Sequence, residues 1–195
     1  NPISDSFAEV DGEGYRHKNP KDHYLGACDP NNDIYDETFP CNDKLIGAWS
    51  YDYIEDGTPR DYYGHGSHTA STAAGNLVYD ATLTTPTGLE ISKTISGVAP
   101  HANIIAYKVC NEYGGCYLSA AVSAIEQAVI DGVDVINYSL GFGYSNPWQG
   151  EDALSFLAAM DAGIFVAVAA GNNGPASNTI KGSETPPWVT TTASS

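Results

Sequence analysis

Between Asn103 and Ala170 short apolar runs alternate with amphipathic stretches, and nothing else in the chain restricts its fold as strongly. Asn103 to Val109 (NIIAYKV) is a β-prone run, and Tyr117 to Ile130 carries apolar residues at helical spacing before Asp131-Gly132, a helix stop. Asp134 to Leu140 (DVINYSL) reads as a second strand. Glu151 to Met160 reads as a second helix, ended by Asp161-Ala162-Gly163, and Ile164 to Ala170 (IFVAVAA) as a third, almost continuously apolar strand. Strand, helix, strand, helix, strand with short connectors predicts right-handed βαβ units and an α/β core with a mainly parallel sheet covered on both faces. Chemistry in such sheets gathers beyond the carboxyl ends of the strands. That points to Ser139-Leu140-Gly141 after the second strand and Gly171-Asn172-Asn173-Gly174 after the third. Up to about Ser50 the sequence shows no sustained period and many turn residues, such as Asp29-Pro30-Asn31-Asn32.

Charge removes several partner classes. Eight Lys and Arg stand against 24 Asp and Glu, a formal net charge of -16. Binding to nucleic acid or anionic lipid needs clustered cations, so neither is expected. The run Ile164 to Ala170 is the longest apolar one and falls far short of the roughly 20 residues of a membrane helix, so no membrane partner is expected. Carboxylates concentrate in residues 1–63, which hold 14 of them against 5 bases. Such loops suit either a solvated acidic surface or calcium. No stretch has EF-hand spacing, so calcium stays possible without an assignable ligand, and no cofactor is required. The chain starts at Asn1 without the basic-then-apolar pattern of a signal peptide, which suggests a piece of something longer.

The four cysteines allow three pairings. Cys28 and Cys41 lie in one turn-rich region, and Cys110 and Cys116 flank Asn-Glu-Tyr-Gly-Gly; neither spacing is CxxC. Local pairing, Cys28 with Cys41 and Cys110 with Cys116, is simplest and implies an oxidising compartment; four thiols in a cytosolic protein are the alternative.

Three segments carry candidate chemistry. In Asp61-Tyr62-Tyr63-Gly64-His65-Gly66-Ser67-His68-Thr69-Ala70-Ser71, glycines on both sides leave the His65 imidazole uncrowded at a helix start, which suits a general base. Two ordinary histidines, or a zinc pair of His65 and His68 joined by Asp61 or His101, are the competing readings, though no HExxH pattern is present. Asn137-Tyr138-Ser139-Leu140-Gly141 approaches the G-x-S-x-G nucleophile elbow, but Asn137 replaces its first glycine and a loop containing Pro147 follows in place of a helix. Asn172, at the end of the third strand, suits turn chemistry and oxyanion donation equally well.

Together these segments resemble the subtilisin-like serine proteases, the subtilases. His65-Gly66-Ser67-His68-Thr69-Ala70 looks like the family's histidine motif, Gly97-Val98-Ala99-Pro100 like its GVAP segment, Ser139-Leu140-Gly141 like its SLG segment and Ala169-Ala170-Gly171-Asn172 like its AAGN segment. A closer likeness is to plant cucumisin-like subtilases and their bacterial relatives, through Cys41-Asn42-Asp43-Lys44-Leu45-Ile46-Gly47 and through Tyr107-Lys108-Val109-Cys110 with Gly115-Cys116. The resemblance implies a three-layer subtilisin-like α/β fold, incomplete at both ends, with residues 1–195 as one partial catalytic domain. It assigns His65 as catalytic base, Asn172 as oxyanion donor, Ser139, Leu140 and Gly141 as substrate-aligning backbone, and both local cysteine pairs as disulfides. It implies a secreted serine endopeptidase acting on polypeptides, with room for a propeptide and an inserted protease-associated domain in the parent.

Two departures set an expectation about activity. No Asp-[Ser/Thr]-Gly stands upstream of His65 and no Gly-Thr-Ser-Met-Ala downstream of Asn172. The opening Asn1 to Phe7 looks like the stretch that follows the aspartate motif, so the chain alone is expected to be inactive. The remaining alternatives are a non-catalytic subtilase-like binding module and an α/β hydrolase using Ser139.

Overall fold

The computed structural model describes residues 3–51 and 57–193. Asn1 and Pro2, part of the opening segment singled out above, lie outside the described residues. The chain divides into two compact units. The first takes in residues up to Ser50 with Gly57–Lys108 and Glu112–Gly114; the second consists chiefly of Val109–Asn111 and Gly115 onward.

In the first unit, β1 (Leu25–Gly26), β2 (Leu45–Ser50), α1 (His65–Ala74), β3 (Val78–Thr84), β4 (Glu90–Ile95) and β5 (Ile104–Lys108) follow one another. β1, β2 and β5 form a parallel sheet in that order, while β3 and β4 pair as an antiparallel ribbon. β5 is the expected first strand. Its hydrogen-bonding partner β2, however, lies at the end of the stretch read as irregular, where six residues between turn-rich segments show no period long enough to register. The ribbon, too, has no period that marks it in the sequence. All six residues of β4 are exposed, so no alternation of buried and open positions marks it.

Buried polar groups hold much of this unit together. Lys44 is fully buried, and its ammonium donates to the carbonyls of Pro100 and Ala102 at 2.6 Å each. Burial, partly offset by the Asp11 charge, brings its pKa down to about 8. Asn76, 1% exposed, donates to the carbonyls of Asp5 and Ala8 and meets His17 Nε2 at 2.8 Å through its own oxygen. Because the Asn76 amide nitrogen is committed to two carbonyls, His17 Nε2 must be the donor, which fixes a neutral tautomer. Burial pushes the His17 pKa below its ordinary value, against the opposing effect of the Asn76 bond.

The second unit contains α2 (Leu118–Asp131), β6 (Val135–Tyr138), α3 (Glu151–Asp161), β7 (Phe165–Ala169) and β8 (Thr190–Thr192). β6, β7 and β8 form a parallel sheet in that order, so β6-α3-β7 is a βαβ unit of the expected kind, whereas the expected pairing of β5 with β6 across α2 is not formed among the described residues, β5 pairing with β2 instead. α2 stops where the sequence says it should: Gly132 caps it with φ 62, a conformation glycine adopts without steric cost. Its buried face is alanine and isoleucine at helical spacing (Ala120, Ala121, Ala124, Ile125, Ala128), and small side chains suit close packing against α3. Phe156 on α3 is fully buried and meets the Tyr138 ring edge-on at 4.9 Å. Burial of one such side chain contributes about 1.5–3 kcal/mol. Both cysteine pairs are disulfides, Cys28–Cys41 in the first unit and Cys110–Cys116 in the second. Among the described residues no helix is long and apolar enough to cross a membrane.

Candidate active site

His65 is the first residue of α1 and is exposed. A helix start leaves several N–H groups without intrahelical acceptors, and the N-cap residue normally supplies one from its side chain. The N-cap here is Gly64, with no side chain and φ 92, so Asp61 supplies the acceptors from three residues back. Its Oδ1 accepts the N–H groups of Tyr63 (3.1 Å) and Gly64 (2.7 Å), and its Oδ2 accepts the N–H and hydroxyl of Ser67, both at 2.8 Å. Burial alone would raise the Asp61 pKa, but the Gly64 and Ser67 bonds outweigh it, and the net shift is downward. The carboxylate thus fixes the turn that presents His65.

These bonds also account for the residues of the alternative zinc reading. Asp61 is occupied by the turn. His101 stacks on Tyr15 at 3.8 Å and lies 3.5 Å from the Asp11 carboxylate. His68 lines a cavity of about 280 Å³ with Ser6, Ser71 and Asn76. Among the described residues no group of three or more His, Cys, Asp or Glu is placed to hold a metal ion. The helix meets the Gly97-Val98-Ala99 segment backbone to backbone, Gly97 N–H on Gly75 O, Val98 N–H on Thr72 O and Ala99 N–H on Ala73 O. A Cβ at Gly97 would lie 2.4 Å from Gly75 N, so only glycine fits that crossing.

The second unit brings the other two predicted segments to one sheet end. β6 and β7 are neighbours with Tyr138 opposite Val168, so Ser139-Leu140-Gly141 and Ala170-Gly171-Asn172 leave adjacent strands in the same direction. Asn172 is exposed, and among the described residues nothing holds its side-chain amide. Ser139 Oγ receives a hydrogen bond from Asn137 Nδ2 at 3.0 Å, an amide donor and not a base. The nucleophile elbow is not formed, because β6 ends at Tyr138 and the next helix starts only at Glu151.

A crossing loop clamps the segment after Gly141. Ser183, 1% exposed, accepts from Phe142 N–H at 3.4 Å and donates to Asp152, itself 2% exposed. Ser145 N–H reaches Lys181 O at 3.1 Å, and Trp188 Nε1 donates to Ala153 O. Gly182 permits the crossing, since a Cβ there would lie 2.2 Å from Phe142 O. Burial, then the nearby Asp152 charge, raises the Tyr138 phenol pKa far above its ordinary value. Sequence reasoning offered Asp61 only as a metal ligand and missed its capping role, and it missed Asp152 and Ser183 altogether. Only Asp61 left a signal, an Asp-x-x-Gly turn ahead of a helix. Asp152 beside Glu151 reads as an ordinary acidic helix start, exposed to water.

These features, an exposed histidine on an anchored helix start in the first unit and two loops at the end of a parallel sheet in the second, accompany a family-level match along nearly the whole chain. The family model described as "Subtilase family" matches residues 12–194, and the chain belongs to the subtilase family. It is 42% identical over 160 residues to Subtilisin-like protease SBT4.12 of Arabidopsis thaliana, covering 82% of this chain and 20% of that protein. It is 39% identical over 197 residues to Subtilisin-like protease SBT4.4 of the same plant, covering 100% of this chain and 24% of the relative. The chain therefore spans about a fifth to a quarter of the length of these curated relatives. Among solved structures it is similar to Sphericase, with 30% identity, TM-score 0.45, and coverage of 60% of this chain and 34% of that one.

Proposed function

We propose that this chain is part of the catalytic domain of a secreted subtilase that hydrolyses peptide bonds in proteins, with His65 as general base and Asn172 as oxyanion donor. The observation that carries the reading is the His65 turn: Gly64 and Gly66 leave the ring open while Asp61 fixes the helix start behind it. In this mechanism His65 takes the proton of a serine hydroxyl as the serine oxygen attacks the peptide carbonyl, then returns it to the leaving amine. The serine, and the aspartate that orients the imidazole, belong to the whole protein outside these residues. Asn172 donates its amide to the oxygen that becomes negative in the tetrahedral intermediate. Ser139, Leu140 and Gly141 pair with an extended substrate through their backbone, as an added strand would. The two disulfides support maturation in an oxidising compartment.

The test is peptide hydrolysis by the full natural protein. His65→Ala is expected to abolish turnover. Asn172→Ala is expected to lower kcat by about 10²–10³, a scale set by subtilisin itself. Turnover unchanged by either substitution would remove both assignments.

A further inference from the structure

The loop that clamps the substrate-aligning segment also brings a carboxylate to it. Glu184 follows the buried Gly182-Ser183 pair, and its carbonyl is held by Thr191 Oγ1 at 2.6 Å, which ties the residue to β8 at the carboxyl end of the sheet. Its Oε1 accepts Lys181 N–H at 2.8 Å, so the side chain is oriented by its own turn. Its Oε2 lies 3.9 Å from where a Cβ on Gly141 would stand and 3.3 Å from that of Gly182. Gly141 is exposed and carries no side chain, and among the described residues that carboxylate oxygen is the nearest heavy atom to the space a side chain there would fill. Among the described residues Glu184 forms no ion pair with a Lys, Arg or His.

We infer that Glu184 is a specificity-determining residue that selects a Lys or Arg side chain in a peptide bound along Ser139-Leu140-Gly141. This rests on the proposed protease reading of the same cleft and names its substrate class. A half-buried carboxylate with one oxygen fixed and the other uncompensated discriminates in two directions. It attracts an ammonium or guanidinium group through a charge-assisted hydrogen bond, and it disfavours an apolar or acidic side chain that would cover it without pairing. The general acidity of the chain would attract cationic peptides from a distance, but that effect is spread over the surface, screened by salt and independent of any one carboxylate.

The experiment is a cleavage profile of the full natural protein on a mixed peptide library, read by mass spectrometry, beside labelling with a serine-directed fluorophosphonate. Lys and Arg should be enriched about tenfold or more at one position next to the cleaved bond. Glu184→Gln, which keeps the acceptor for Lys181 N–H, should remove the enrichment while cleavage of neutral peptides persists. Glu184→Lys should shift preference at that position toward Asp and Glu. Exposed Glu90→Gln is the control for overall charge and should leave the profile unchanged. Labelling with no basic enrichment, or enrichment equal in wild type and Glu184→Gln, overturns the inference and leaves the protease reading intact. Absence of labelling removes the protease reading; the same basic and neutral peptides are then titrated as binders, where a basic preference lost in Glu184→Gln supports the inference and equal affinity overturns it.

Discussion

Where the second unit hides alanine, phenylalanine and valine between two helices and a parallel sheet, the first hides a lysine, a histidine and an asparagine alongside its apolar core. The difference teaches how each part of a candidate site is held. Segments 139–141 and 170–172 follow strands packed in an apolar core, with the Ser183–Asp152 pair holding the stretch after Gly141. The His65 turn and the loops around it depend on hydrogen bonds made by groups that titrate: Asp61, His17 and Lys44. The first unit should therefore change stability with pH through His17 and Asp61 on the acid side and Lys44 on the alkaline side.

The largest expected effect breaks the apolar side of this comparison. Phe156→Ala should destabilise the second unit by about 3–5 kcal/mol, the usual cost of truncating a buried aromatic. Amide hydrogen exchange in β6 and β7 would register it, at a cost that does not vary with pH. Protection unchanged in those strands would mean that the helix-sheet packing is not what holds them.

On the polar side, Asn76→Ala leaves the carbonyls of Asp5 and Ala8 and the N–H of His17 without partners, and should cost about 1–3 kcal/mol in the first unit. The same unit carries a pH dependence of definite sign. With the folded pKa of His17 below 6.5, the folded state binds fewer protons, so stability falls as pH drops below about 6.5 and levels off beneath the folded value. Lys44, lowered from 10.5 to about 8, acts alike at the alkaline end: its burial cost is relieved, and stability rises, as pH climbs from about 8 toward 10.5. Exchange in β2 and β5 followed across pH would show both slopes. A flat response would place the buried groups among structural bystanders.

The smallest effect is at the site. Asp61→Asn should cost about 1 kcal/mol, the scale of a lost helix cap, with fraying confined to the first turn of α1. Because the Asp61 pKa lies below its ordinary value, its contribution is present above the ordinary carboxylate range and lost as pH falls through the folded value. Chemical shifts of Gly64 to His68 across an acid titration check this. If Asp61→Asn left that titration unchanged, another group would be anchoring the turn.

Sequence periodicity made the second unit readable, because α2, β6, α3 and β7 are each long or apolar enough to show their spacing. Both disulfides followed from local pairing and stand as expected. The first unit was far less legible. β2 is six residues long, β4 is wholly exposed, and Lys44 looks like a surface cation until Pro100 and Ala102 are found across from it, 56 and 58 residues away in sequence. At the candidate site, the motif segments could be placed on their elements from sequence. Of their supports, Asp61 left an Asp-x-x-Gly signal, while Ser183 and Asp152 left none, because the bonds that join Phe142, Ser183 and Asp152 depend on how a loop crosses, and no local pattern encodes that.

The most direct measurement compares fluorophosphonate labelling of the full natural protein with that of this 195-residue chain alone. The subtilase reading predicts labelling of the full protein at a serine outside these residues, lost on His65→Ala, and none of the isolated chain. Labelling of the isolated chain at Ser139, or labelling of the full protein that survives His65→Ala, would contradict it.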